Sequence, residues 1–165
     1  MIIYLKRVAL FLGLILLQSL ILNNIHINGY GTPFLYIFFI LIFSSNAGKN
    51  TLMLWAFSMG VIIDAFSNTP GLNAASATFL ALIRNPLLHS FTLHDNNEIF
   101  EPGISSMGLS SFTKYTIVLS LLFCTCLQLL NSFSLFEPIQ LLIKILVDTV
   151  ITSIFILCVD AVWRR

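Results

Sequence analysis

The chain has 165 residues, of which 58% are hydrophobic and only 9% charged, and its formal net charge is +1 at pH 7. A soluble domain carries about 25% charged residues, so this composition excludes an ordinary soluble domain and predicts an integral membrane protein. The nearly neutral charge gives no reason to expect nucleic acid or an acidic substrate as a partner.

The first apolar segment imitates a secretory signal, because Lys6 and Arg7 precede the run VALFLGLILLQSLIL. A signal peptide ends in a cleavage site made of small residues. Here Leu22 is followed instead by Asn23 and Asn24. We therefore predict that the segment is retained as the first membrane span.

The apolar runs predict one all-helical membrane domain, 1–165, with about six transmembrane helices. A helix needs about 20 residues to cross a hydrocarbon core of about 30 Å. The predicted spans are 6–22, 33–43, 51–66, 73–88, 112–130 and 136–162. The second is short, although Pro33 suits the first position of a helix. Asn73 is predicted to cap the fourth helix with its side chain.

The positions of lysine and arginine predict the orientation. With six spans and a cytoplasmic N-terminus, seven of the eight basic residues lie at or near the cytoplasmic side, namely Lys6, Arg7, Lys49, Arg84, Lys114, Arg164 and Arg165. The eighth, Lys144, lies within the sixth span. Because cytoplasmic loops of membrane proteins are enriched in Lys and Arg, both termini are predicted to be cytoplasmic.

The predicted cytoplasmic loop, 90–111, contains one histidine and three acidic residues, His94, Asp95, Glu98 and Glu101. The spacing of His89 and His94 places their imidazoles on different helix faces, and the acids do not follow an EF-hand pattern. We therefore predict no metal site and interpret the loop as a flexible polar linker or a partner-docking segment.

The sequence predicts neither an enzyme nor a cofactor site. It contains no nucleophile elbow, phosphate-binding glycine loop or zinc-protease helix. Cys124, Cys126 and Cys158 lie in apolar runs, which favours buried, inert thiols over a disulfide framework.

Polar residues recur at about every fourth position in the sixth predicted span, namely Glu137, Gln140, Lys144, Asp148 and Thr152. Residues four apart lie on one helix face, so these form a polar seam on an otherwise apolar helix. Ionisable groups within a span normally face protein or water. Three interpretations remain open: a Lys144–Asp148 pair within the helix, a buried seam against another span or a partner's helix, and an ion or proton pathway.

Asp64 ends the apolar run GVIID, just before the turn SNTPG. In the predicted topology it lies near the outer end of the third span, at a depth that Lys144 could reach. The interpretations are a buried contact with Lys144, an acid that caps the turn at Ser67 and Asn68, or a direct contact with a partner or ligand.

Two stretches, GYGTPFLYIFFILIF and FSMGVIIDAFSNTPGLNA, together with LILLQSL in the first span, resemble the rod shape-determining protein MreD family. The matching pattern has Gly-x-Pro before the second span, Gly-x-x-x-Asp in the third, and a Pro/Gly turn with Leu-Asn. Its residues here are Gly31, Pro33, Gly60, Asp64, Pro70, Gly71, Leu72 and Asn73. The turn departs from the expected Pro-Leu-Gly-Leu, and the 90–111 loop is longer than the family's.

The resemblance implies a non-enzymatic, multi-pass scaffold subunit of the cell-elongation machinery in the bacterial cytoplasmic membrane, surrounded by membrane lipids. Such proteins bind the single-span protein MreC. Together with MreC they connect MreB filaments to the glycosyltransferase RodA and a class B penicillin-binding transpeptidase, which build the peptidoglycan that sets cell shape.

The MreD family is also similar in fold to the substrate-binding subunits of energy-coupling-factor vitamin transporters, which have six helices around a cavity. A shared fold does not transfer function. It does supply a second hypothesis, in which the chain is a small-molecule- or lipid-binding subunit with Asp64 and the polar seam lining the pocket.

Overall fold

The computed structural model describes residues 2–24, 31–92, 100–132 and 138–163, which are 83% helical, with no strand among them. The helices are α1 (Ile2–Leu20), α2 (Ile37–Ile42), α3 (Lys49–Ser67), α4 (Leu72–Phe91), α5 (Ile104–Met107), α6 (Leu109–Asn131) and α7 (Pro138–Trp163). A single 3-10 turn, Leu22–Asn24, follows α1. The predicted all-α fold class is therefore confirmed for the described residues.

Three helices, α3, α6 and α7, are long and apolar enough to cross a membrane. They coincide with the predicted spans 51–66, 112–130 and 136–162. The apolar part of α1 is shorter, Arg7–Leu20, and is not among these three. Helix α4 has 20 residues, but Asn73, Arg84 and Asn85 make it less apolar.

The second predicted span, 33–43, is not a spanning helix. Only Ile37–Ile42 is helical, and six residues rise about 9 Å along a helix axis. Pro33 disfavours helical geometry at Thr32, and the chain from 32 to 34 has no regular secondary structure. Every residue from 33 to 41 is buried, so α2 and the segment before it form a short internal element.

The core surrounds α2. Phe11 of α1 packs edge-on against Phe39 of α2, with ring centroids 5.6 Å apart, and against Trp55 of α3 at 5.1 Å. On another side, Tyr36 packs edge-on against Phe123 of α6 at 5.6 Å. These contacts join the buried apolar side chains into one cluster that extends to α7.

Helices α3 and α4 pack against each other in antiparallel directions. Their backbones come close together at Gly60. A Cβ atom at this position would lie 2.4 Å from the Cα of Ala74 and 2.6 Å from its nitrogen. Real Cβ atoms do not approach backbone this closely, so the α3–α4 spacing requires glycine here.

The part of the 90–111 loop that the structure describes is packed against the helices. The Ser45 N–H donates to the Phe100 carbonyl at 2.9 Å, and the Ile104 N–H donates to the Asp160 carboxylate at 2.8 Å. Residues 100 and 104 are therefore bonded to other parts of the chain, and the interpretation of the loop as a linker or a partner-docking segment stays a prediction. His94, Asp95 and Glu98 lie outside the described residues.

Candidate functional site

The irregular segment before α2 is held by side chains from two other helices. The N–H of Thr32 donates to the Asp148 carboxylate at 2.9 Å, and that of Phe34 donates to the Thr152 hydroxyl at 3.1 Å. The next N–H, of Leu35, donates to the Gln18 side-chain oxygen at 2.9 Å. Buried backbone groups require such partners, so these side chains replace the hydrogen bonds that a helix would have supplied.

The side-chain amide of Gln18 binds both an N–H group and a carbonyl of the segment before α2. Its amide oxygen accepts the bond from Leu35, and its amide nitrogen donates to the Pro33 carbonyl at 3.0 Å and to the Asn23 side chain at 2.9 Å. The side chain is fully buried. Sequence reasoning missed this role, although a lone glutamine in an apolar span was a usable signal.

The residues of the predicted polar seam on α7 differ in how deeply they are buried. Asp148 and Thr152 are buried and bind the segment before α2, and Asp148 also accepts from the Gln128 amide of α6 at 2.7 Å. Lys144 is half-buried, Gln140 is exposed, and Glu137 lies outside the described residues. Within the described part of the chain Lys144 and Asp148 attract each other electrostatically but form no direct ion pair, and the Asp148 carboxylate bonds to Thr32 and Gln128 instead.

Asp64 of α3 binds the start of α4. We call the contact region formed by Gly60, Asp64, Asn73 and Ala74 the α3–α4 joint. The Asp64 carboxylate accepts from the N–H groups of Asn73 at 3.0 Å and Ala74 at 2.9 Å, and from the Thr69 hydroxyl at 3.0 Å. A carboxylate at a helix N-terminus satisfies orphan N–H groups and complements the helix dipole. The cap thus comes from the preceding helix, and the proposed contact with Lys144 is not among the hydrogen bonds or ion pairs of the described residues.

The predicted side-chain cap by Asn73 was wrong. Its amide nitrogen donates to Asp64 at 2.9 Å, and its amide oxygen accepts from the Tyr36 hydroxyl at 3.0 Å. Asn73 therefore links the α3–α4 joint to the segment before α2. Gly71, at the cap position, has φ of 80°, a conformation that glycine adopts at little cost; Pro70 precedes it in the exposed turn.

The other end of α2 is bound by one buried cation. Arg84 of α4 donates to the carbonyls of Leu41 and Ser44 at 3.2 and 3.3 Å, and to that of Phe43. Its Nε donates to the Tyr115 hydroxyl at 3.2 Å. These carbonyls have no helical partners because α2 ends there, and a planar guanidinium suits several acceptors at once.

Arg84 was counted among the basic residues at or near the cytoplasmic side, and it lies buried within α4. Its relative exposure is 0%, so it cannot count as a solvated charge that sets orientation. The thiols also differ from prediction: Cys124 is buried, but Cys126 is only half-buried and Cys158 is exposed.

A cavity of about 430 Å³ opens at the end of the bundle marked by Asn23, Thr32, Asn73 and Lys144, which we call the polar end. Its walls come from α1, α3, α4, α6 and α7 and from the segment before α2. A smaller cavity of about 270 Å³ lies at the opposite end, between Arg7, Phe43, Glu101 and Trp163, among others.

Comparison with protein-family models, curated proteins and solved structures gives no match. Among the described residues, no group of three or more His, Cys, Asp or Glu side chains is placed to hold a metal ion. The site is therefore characterised by its geometry alone.

Proposed function

We propose that this chain is a non-enzymatic membrane scaffold of the MreD type, which binds MreC and helps to couple MreB filaments to RodA and a class B penicillin-binding transpeptidase. The observation that carries the proposal is the α3–α4 joint. Gly60, Asp64, Gly71 and Asn73, on which the resemblance rests, meet there in one close contact and one cap. Their polar groups bond to each other, as an architectural role requires.

Gly31 and Pro33 of the same pattern open the segment before α2, where Pro33 lacks an N–H group and its carbonyl accepts from Gln18. The whole pattern thus serves to build and hold an internal element. In the proposed function this rigid bundle is a platform in the bacterial cytoplasmic membrane, with both termini on the cytoplasmic side.

The outer face of α7 supports an assembly role. Large apolar side chains along it are more than one third exposed, among them Ile139, Leu142, Ile143, Leu146, Val150 and Ile154. In a bilayer such a face contacts lipid or the single span of a partner such as MreC.

The test is crosslinking in intact cells, followed by affinity purification of the tagged chain in mild detergent and mass spectrometry. A photoreactive residue at Leu146 on α7 is compared with one at Phe57 on α3, since both are exposed. Recovery of MreC and the wall synthases supports the scaffold, and a difference between the two positions locates the contact.

The cavity at the polar end favours a second candidate function, a substrate- or lipid-binding subunit of an energy-coupling-factor-type transporter. The cavity volume of about 430 Å³ lies within the range of small-molecule sites, about 300–1,000 Å³. Recovery of a pair of ATPases with a membrane coupling subunit, in place of MreC, would select this function.

A further inference from the structure

We propose that the cavity at the polar end binds a phosphate group, carried by the head of an anionic membrane amphiphile, with Lys144 as its charge partner. The inference concerns this cavity alone and goes beyond the scaffold function, on which it does not depend.

The charge of the cavity is the first argument. Lys144 is the only charged residue among the described residues that line it. The side chain is half-buried and forms no hydrogen bond or ion pair with another described residue. An ammonium has three N–H donors, and a partly buried cation with unused donors attracts an anion.

The two nearby carboxylates are already bound elsewhere. Asp148, one helical turn from Lys144, accepts from the Thr32 N–H with one oxygen and from Gln128 with the other. Asp64 accepts from the start of α4. Neither carboxylate lines the cavity. Lys144 and Asp148 attract each other electrostatically but form no ion pair, so the N–H donors of the ammonium are available to a ligand in the cavity.

The remaining lining indicates the class of ligand. Thr32 presents a hydroxyl and Asn131 an amide group, which can donate to phosphate oxygens. Phe66, Leu72 and Leu127 add apolar surface beside them. One cation, neutral donors and apolar walls together suit a charged head joined to an apolar body better than a bare ion.

The test uses the full chain purified in a neutral detergent at low ionic strength, with Tm followed as probe is added. The probes are dioctanoyl phosphatidylglycerol, dioctanoyl phosphatidylcholine and inorganic phosphate. The variants are Lys144→Met and Lys144→Arg, with Lys114→Met, an exposed lysine of α6, as the matched control. Asn131→Asp, at an exposed position of the lining, adds a negative charge without touching Lys144.

We expect phosphatidylglycerol to raise the Tm of wild type, of Lys144→Arg and of Lys114→Met, and phosphatidylcholine to have little effect. Removing a charged hydrogen-bond partner weakens binding by about tenfold or more, and we expect this for Lys144→Met and a smaller loss for Asn131→Asp. If inorganic phosphate raises the Tm as much as phosphatidylglycerol does, the bound phosphate need not come from a lipid headgroup, and the amphiphile part of the proposal is overturned. Equal stabilisation of wild type and Lys144→Met, or by both lipids, would overturn the proposal itself.

Discussion

At the start of α2, three backbone N–H groups donate to side chains from α1 and α7, whereas at its end three carbonyls accept from the single guanidinium of Arg84. Both arrangements supply hydrogen-bond partners to backbone groups near the ends of a short, buried helix, which have no partners within the helix itself. The start is distributed over Gln18, Asp148 and Thr152, so losing one leaves two. At the end, Arg84 contacts all three carbonyls and is the one described donor to the Phe43 carbonyl, whereas the Tyr115 hydroxyl and the Ala47 N–H also serve the Leu41 and Ser44 carbonyls. Arg84 is therefore the single residue whose loss should matter most.

This comparison predicts the largest effect for Arg84→Met. The substitution leaves the Phe43 carbonyl without a described donor, whereas the Leu41 and Ser44 carbonyls keep the Tyr115 hydroxyl and the Ala47 N–H. A buried unsatisfied group costs about 1–3 kcal/mol, and the other bonds of the guanidinium are lost as well. We expect about 3 kcal/mol of destabilisation, seen as a lower Tm and less monodisperse protein in detergent. Arg84→Lys keeps the charge but loses the fork geometry, so its Tm should lie in between.

The control for Arg84 is Lys114→Met, which removes an exposed cation from α6. Surface substitutions usually change stability by no more than about 0.5 kcal/mol. If both variants kept the wild-type Tm, the hydrogen bonds of Arg84 would not stabilise the end of α2, and its role as an anchor would be refuted.

Gly60→Ala should have the next largest effect, because its Cβ would lie 2.4 Å from the Cα of Ala74. Overpacking costs about 1–3 kcal/mol, and here the obstacle is backbone. Gly13→Ala on α1 is the matched control, since a Cβ there meets nothing within 4 Å and alanine favours helix. Thermal unfolding should separate the two; equal Tm values would show that α3 and α4 are not in close contact.

Asp64→Ala tests the α3–α4 joint through its polar half. Loss of a helix cap costs about 0.5–2 kcal/mol, and the Asn73 amide also loses its acceptor, so we expect about 2 kcal/mol. Asp64→Asn keeps one acceptor oxygen but points an NH₂ group at existing donors, which should recover part of the loss. The Tm should fall from wild type to Asp64→Asn and again to Asp64→Ala. If Asp64→Ala had the wild-type Tm, Asp64 would not stabilise the α3–α4 joint.

The smallest loss of stability is expected at the start of α2, where three different side chains share the hydrogen bonds. Thr152→Val removes the acceptor of the Phe34 N–H and nothing else among the described bonds, so it should cost about 1 kcal/mol. Thr113→Val is its control, because that hydroxyl bonds only to the Leu109 carbonyl of its own helix. A loss for Thr152→Val as large as that for Arg84→Met would contradict the difference between the two ends.

The sequence predicted much of this arrangement where the signal was periodic. Apolar runs located the long helices, and four-residue spacing placed Asp148 and Thr152 on one inward face of α7. The Gly-x-x-x-Asp pattern marked Gly60 and Asp64, although their roles, close contact and cap, required three-dimensional neighbours 9 to 14 residues away along the chain.

Other features could not be predicted because their partners are distant in sequence. Arg84 binds carbonyls about 40 residues earlier, and nothing near it in the chain indicates a buried role. An apolar run from Pro33 to Phe43 looks like a span whether or not it is helical throughout. The side chains of Gln18, Asp148 and Thr152, which bond to the irregular backbone of residues 32–35, come from helices far away along the chain.

Hydrogen–deuterium exchange at single-residue resolution tests the account's central claim, that side chains satisfy an irregular, buried backbone before α2. The N–H groups of Thr32, Phe34 and Leu35 should exchange as slowly as those in the middle of α6, although they lie outside any helix. Asn50, exposed in the first turn of α3, should exchange quickly. Fast exchange at residues 32–35 would show that the segment is not held as described.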